Sequence, residues 1–539
     1  MRTEGIPVLD LIIIVAYLAG ILAAGIWSTR KQSQTSNNYF LAGRSLNWAM
    51  VGSALFAANI STIHLVGLAA SGYNEGLVWG NFEWMATFTL ILLGLVFAPF
   101  YFKNRISTLP EFLERRYSPA SRSFLAFMGI VSALFIHIGM SMYAGAAVFR
   151  QFFGIDVVTS IVIISMITAT YTILGGLKAV VVTETIQTVI LLLGAVVVTA
   201  LGILALPEQG IHSLAQFKMA LKPGQFSMIH ADNHSGLAWY AVLLGYPVLG
   251  VWYWCSDQTI VQRVLGAKTQ KDAQVGAIFA GFLKVLPVFI MVVPGVIGYV
   301  LFKDLIGKNS NQTLPILINQ LTPTGLKGLI SAGLLAALMS TIAAALNSSA
   351  TLVAVDIVKR MRPNTTDESQ VRIGRISAVV VMLLAMLWST QGGKYSSIFE
   401  AINAIAADLA PPVTAVFAWG VFWRRGTRQA ALATLITGFL LGAVGFVMDL
   451  PVIGTEKVIT DRWGIPFMMQ AWWSFCICSV IYVLVSLATP RPPDEKIKDL
   501  TWDHPLAVIT QGKLESLTDP RLLAALLFAV VAILYYVFR

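Results

Sequence analysis

Charge is what this chain has least of. Only 12% of its 539 residues are Asp, Glu, Lys or Arg, against 57% hydrophobic, and the mean hydropathy is +0.74. So few charges exclude a disordered, solvated chain, and so large an apolar majority excludes an ordinary soluble domain. Cysteine is scarce as well. Cys255, Cys476 and Cys478 are its three copies, and all fall inside apolar runs. No disulfide framework or metal-ligand spacing is available to them, and Cys476-x-Cys478 reads as packing. No phosphate-cradling glycine loop and no nucleophile–base motif appears, so an enzyme is not expected. Low-complexity stretches are missing too, and 206–237 and 490–519 are the long connections.

What is present is a succession of apolar runs of membrane length, roughly fourteen, from 8–28 to 520–538. They make 1–539 a single transmembrane unit, all-α and polytopic. The first run is too long and too polar-flanked for a cleavable signal and reads as a retained helix. The net charge of +10 is unevenly placed: 25 of the 37 Lys and Arg fall on one alternating set of loops. That asymmetry marks the inner side and puts both termini outside. It reflects insertion into a bilayer rather than a nucleic-acid partner.

Polar residues inside such runs are costly, so they carry the information. The run from Gly52 to His64 is interrupted by Asn59, Ser61, Thr62 and His64. A lipid-facing helix would not carry that cluster, whereas a helix unwound around a buried cavity would, freeing carbonyls for a cation. Gly250 to Gln258 is a second polar break, five runs later. Paired breaks in corresponding positions are the mark of an inverted-repeat transporter.

Two opposite charges, Glu83 and Lys284, also fall within runs. They either pair with one another or face a shared cavity, where a carboxylate and an ammonium suit a neutral polyhydroxyl solute. Tyr253, beside the second break, is placed to stack on a sugar ring, while Trp252 and Trp254 are equally explained by packing. Ala337, Ser340 and Thr341 share one helix face. Their hydroxyls either bond back to the preceding turn or complete an oxygen cage for a hard cation such as Na+. His64 belongs with the cavity, and His137 reads as structural. Glu184 is either a solvated helix-start acid or part of an ion exit path.

Together these segments resemble the solute:sodium symporter family, most closely its sodium/glucose cotransporter branch. The resemblance runs from Asn38-Tyr39-Phe40-Leu41-Ala42-Gly43-Arg44 to the last run. It rests on Tyr171-Thr172-Ile173-Leu174-Gly175-Gly176, Trp252-Tyr253-Trp254-Cys255-Ser256-Asp257-Gln258 with Gln262-Arg263, Leu346-Asn347-Ser348 and Ala410-Pro411-Pro412. It implies a LeuT-type fold of five plus five inverted helices. An extra helix and loop (1–45) precede a first repeat (46–205), a second repeat (238–423) follows, and three helices (427–539) close the chain.

The resemblance also implies sodium as coupling ion at Ala57, Ile60, Ala337, Ser340 and Thr341, with Thr341 where relatives carry Ser. Sugar contacts carry over to His64, Glu83, Tyr253, Lys284 and Asn403. The outer gate carries over to Leu68, Phe82 and Phe399, and the inner gate to Tyr253. Departures are Gly250 for Asn or Thr, Asn403 for Gln, Ala343 for a hydroxyl residue, and Glu184 for an Asp tied to a second sodium or its exit. The implied function is sodium-coupled symport of a glucose- or galactose-like hexose by alternating access. Its partners are the sugar, sodium ions and the lipid bilayer, with no nucleic acid, and compact loops suggest a bacterial inner membrane. A symporter of another solute (myo-inositol, a sugar acid, an amino acid) and a sugar-gated sensor or channel are the alternatives.

Overall fold

The computed structural model describes residues 7–30, 35–231, 236–390, 398–449, 458–503, 514, 516 and 518–539, with 147–148, 151–153, 398–402 and 404 described by backbone alone. Among the described residues the chain is helical, apart from isolated bridges between Leu46 and Ala267 and between His230 and Ala238. Eleven helices are long and apolar enough to cross a membrane, or twelve if a pair bent by 63° counts as one span.

In chain order the principal helices are α1 (Val8–Thr29), the bent pair α2 (Trp48–Asn59) and α3 (Thr62–Asn74), α4 (Leu77–Lys103), α5 (Pro119–Ala146) and α6 (Val157–Ala205). Then come α7 (Trp239–Gly250), α8 (Gln258–Leu265), α9 (Gln270–Ile306), α10 (Leu326–Met361), α11 (Asp367–Ser389) and α12 (Ile398–Phe422). α13 (Arg428–Met448), α14 (Phe467–Ala488) and α15 (Pro520–Val537) complete the chain. The expected fourteen runs differ from this set at two places. The runs 155–174 and 182–205 are one long element, α6, broken only where Gly176 takes φ +61° and ψ −155°. The run 238–264 is divided into α7, a π-helical turn (Val251–Ser256) and α8, none of them membrane-length alone.

Both expected interruptions are real breaks. α2 is capped at Asn47, whose side chain accepts from the Met50 N–H at 2.9 Å. It stops at Asn59 because Ile60 and Ser61 turn extended (ψ 107° and 170°), and Ser61 with His64 forms the capping box that starts α3. Asp257 plays the matching part in the second break: extended itself, it accepts from the Thr259 N–H at 2.6 Å and starts α8. A third interruption lies in α9. Pro287 has no N–H to continue the ladder, and the helix loosens at Lys284 before resuming.

Packing follows the membrane's logic. α6 lies along α10, α1 lies across both, and α12, α13 and α14 pack mutually. Leu440, Val444, Leu484 and Phe528 are exposed, while Glu184, Arg263 and Lys284 are at most 1% exposed. Apolar side chains outside and ion pairs inside reverse the order of a soluble protein.

Candidate functional site

The three interruptions converge on one cavity. Its volume is about 120 Å³, and Asn59, His64, Phe82, Glu83, Tyr253, Lys284, Thr341 and Asn403 are among the residues that line it. Space of that size has room for several waters, and polar side chains stand among its largely apolar lining. All five side chains expected to meet a solute lie on this wall.

Their hydrogen bonds run as a chain through both halves of the molecule. The Lys284 ammonium, on α9, donates to the Glu83 carboxylate on α4, and to Asn59 Oδ1 at the end of α2 at 2.6 Å. Asn59 Nδ2 in turn donates to the Tyr253 hydroxyl at 3.1 Å. Glu83 and Lys284 therefore pair and face the cavity together, so the two sequence readings are one arrangement. The pair is charge-compensated yet keeps spare lone pairs and protons, a surface suited to hydroxyls rather than to an ion. His64 Nδ1 accepts from the Ser61 N–H at 3.3 Å and lies 2.9 Å from Ser61 Oγ.

Oxygen atoms of α2 and α10 meet beside the first break, and both α10 hydroxyls also bond back to the preceding turn. Ser340 Oγ donates to the Ala57 carbonyl at 2.7 Å and lies 3.1 Å from the Ala337 carbonyl. Thr341 Oγ1 is 3.2 Å from that same carbonyl. Ala57, Ala337, Ser340 and Thr341 are thus brought together. Ile60 follows in the extended turn, where its carbonyl has left the helical ladder. The donor set is all oxygen, backbone and hydroxyl, which fits Na+.

Other expectations changed. Glu184 is not a solvated acid: it is fully buried, with Oε1 and Oε2 held by Arg263 at 2.5 and 3.2 Å. A carboxylate eight residues past the Gly176 break had to find a cation because no water reaches it. Leu68 is not on the cavity wall but fully buried in an apolar cluster with Phe56, Leu77 and Trp84. Phe82 does line the cavity, stacked between Trp79 and Phe467 at 5.7 and 6.3 Å. The Phe399 side chain lies outside the described residues.

Sequence reasoning missed several wall residues. His137, expected to be structural, lines the cavity, and its Nε2 is 3.2 Å from Asp257 Oδ2. Trp252 and Trp254 also line it, and Lys284 Nζ lies 5.6 Å from the Trp254 ring. Gly250 leaves no empty notch. A Cβ there would come within 2.6 Å of Thr89 Cγ2 and 2.9 Å of Tyr246 Cε1, because Tyr246 fills the space and donates its hydroxyl to the Phe82 carbonyl at 3.0 Å.

Known proteins share this organisation. A model of the sodium:solute symporter family matches residues 39–438. A sodium/myo-inositol cotransporter 2 of Oryctolagus cuniculus is 34% identical, over 92% of this chain and 78% of its own length. A sodium/mannose cotransporter of Bos taurus is 35% identical, over 94% and 92%. A sodium/glucose cotransporter 4 of Mus musculus is 32% identical, over 92% and 78%. Among solved structures, a Na+-coupled sialic acid symporter in a substrate-bound outward-open state superposes with TM-score 0.76 at 21% identity, covering 90% of this chain and 99% of the other. Mhp1, a nucleobase-cation-symport-1 family transporter in a closed conformation, superposes with TM-score 0.52 at 16% identity, covering 85% and 97%. This chain belongs to the sodium:solute symporter family: it is a multi-pass, sodium-coupled membrane transporter and not an enzyme.

Proposed function

We propose that the chain carries a neutral hexose of the glucose or galactose type inward with sodium across the plasma membrane. The observation that carries this reading is the Glu83–Lys284–Asn59–Tyr253 chain on the cavity wall. It offers donors and acceptors without net charge, and Tyr253 adds an aromatic face for a ring's C–H groups. A sugar acid would bring a net charge that this compensated wall does not answer. That the relatives are named for glucose, mannose and myo-inositol supports a polyol.

In this reading the chain crosses the bilayer fourteen times with both termini outside, α6 counting twice across Gly176 and α7–α8 counting once. Helices α2 to α12 form the five-plus-five inverted repeat. Sodium at Ala57, Ile60, Ala337, Ser340 and Thr341 bridges the first break to α10 and favours the outward-open state, as a ligand can through differential affinity alone. Sugar then binds between His64, Glu83, Asn403 and Lys284. Phe82 with Phe399 closes the outer side, Tyr253 yields on the inner side, and both ligands leave inward.

Uptake of labelled glucose, galactose and myo-inositol into proteoliposomes tests this, with an inward sodium gradient and with potassium in its place. Sodium-dependent accumulation of a hexose above equilibrium is the expected result. Preference for myo-inositol would move the substrate, and sugar-evoked current without sugar entry would make the protein a sensor.

A further inference from the structure

Among the described residues no side chain of α15 lines the cavity, yet this last helix reaches the solute pair from behind. Gly281, three residues before Lys284, lets it come close: a Cβ there would lie 2.5 Å from Leu527 Cδ2. Ala524, Leu527 and Val531 form the buried face of α15, and Tyr535 continues that face one turn on.

The end of that face is tied to the start of α4. Tyr535 Oη donates to Asn81 Oδ1 at 2.8 Å. Asn81 Nδ2 donates to the Val78 and Met228 carbonyls, both at 2.7 Å, and the Met228 N–H donates to the Phe538 carbonyl at 2.7 Å. The Asn81 amide, 3% exposed, is therefore held at its oxygen and at its nitrogen. Apolar packing could join two helices without desolvating an amide; what the amide adds is a fixed position.

The position it fixes is that of the pair. Asn81 opens the helical turn that carries Glu83. Trp84, the next residue, is fully buried, with its ring 5.3 Å from Tyr535 and 5.9 Å from Phe538. Its indole Nε1 donates at 3.2 Å to the carbonyl of Val285, the residue after Lys284. Glu83 and Lys284 thus meet through their side chains while the residues that follow them are bonded as well. Between Lys284 and Pro287, α9 has lost part of its own ladder, so its placement has to be set from outside the helix.

We propose that the end of α15 is a positioning element of the solute site. Tyr535 through Asn81, and Phe538 through Trp84, hold α4 and the loosened stretch of α9 at the spacing at which the Glu83–Lys284 pair receives a solute. The inference rests on the solute-site reading above.

The test uses the full-length protein in proteoliposomes, with sodium-driven uptake of labelled glucose, galactose and myo-inositol measured separately. Tyr535→Phe removes one hydroxyl and raises the half-saturation of the transported solute about fivefold. The maximal rate and the sodium half-saturation stay within about twofold of wild type. Tyr536→Phe, the same change one residue on at a position 66% exposed, leaves all three as they were. Asn81→Leu raises the solute half-saturation at least as far, and adding Tyr535→Phe to it raises it no further, because the hydroxyl acts through Asn81. Should Asn81→Leu fail to fold, Tyr535→Phe against Tyr536→Phe still decides. An unchanged solute half-saturation in Tyr535→Phe, an equal rise in the solute and sodium values, or a fall in maximal rate alone would make Tyr535 a packing residue. Additive effects of the two changes would break its link to Asn81. Each of those results overturns the proposal. Glu83→Gln with Lys284→Met reads the underlying site separately: wild-type uptake by that variant withdraws the solute site, and the role of α15 with it.

Discussion

Glu83 and Lys284 show how much one residue pair can carry. Each is about 1% exposed, and each is the other's compensation. Replacing one alone strands a buried charge, a loss of about 3–5 kcal/mol in which folding and binding are confounded. The double change Glu83→Gln with Lys284→Met removes both charges at similar volume. It should insert and stay monodisperse in detergent while losing sodium-driven sugar uptake by about a hundredfold or more. Wild-type uptake by the double variant would remove the pair from the solute site. Thr341→Ala separates the ion from the sugar. Losing one cage oxygen should raise the sodium half-saturation about five- to tenfold and move the sugar half-saturation by less than half as much. The charged pair was legible in the sequence because ionisable residues in apolar runs have few innocent explanations. His137 was not. Its partner Asp257 is 120 residues away, and a lone imidazole on an apolar helix looks the same whether it faces packing or a cavity.

At the scale of elements, the molecule is organised by where its helices fail. Breaks at Ile60–Ser61, Asp257 and Lys284–Pro287 bring polar groups beside them to one cavity. Their polar residues announced the first two in the sequence, and Pro287 gave the physical reason for the third. Boundaries were harder to read. Gly176 turns α6 without a loop, and Lys178, Thr183 and Glu184 follow it within eight residues, so the two runs the sequence shows are two helices meeting at a kink. That glycine occupies a backbone region closed to other residues, and a Cβ would sit 2.4 Å from the Tyr39 carbonyl. Gly176→Ala should therefore cost about 1–3 kcal/mol and lower the thermal midpoint in detergent, with the remaining folded protein still coupling sodium to sugar. An unchanged midpoint would mean that the turn relaxes freely. The gate residues are the least legible element. Leu68 follows helical spacing as well as Phe82 does, and only packing decides that one reaches the cavity wall and the other lies inside an apolar cluster.

For the whole molecule, the question is how much work each cycle can do. A membrane potential of about 100 mV contributes about 2.3 kcal/mol per sodium. A tenfold sodium gradient adds about 1.4 kcal/mol, so one ion supports roughly 500-fold accumulation of a neutral sugar and two support the square of that. The structure bears on the count through Glu184. Both its oxygens are held by Arg263, and the pair is sealed from solvent, so no free carboxylate remains there to hold a second ion at equilibrium. Ala343, one turn from the cage, offers no hydroxyl in its place. The expected ratio is therefore one sodium per sugar. It can be read from the sugar gradient at which net flux stops in proteoliposomes held at a fixed potential. Raising the sodium gradient tenfold should raise that limiting sugar ratio about tenfold, because the two chemical potentials are then coupled one to one. A rise of about a hundredfold would require a second ion, and with it a state in which Arg263 has let Glu184 go.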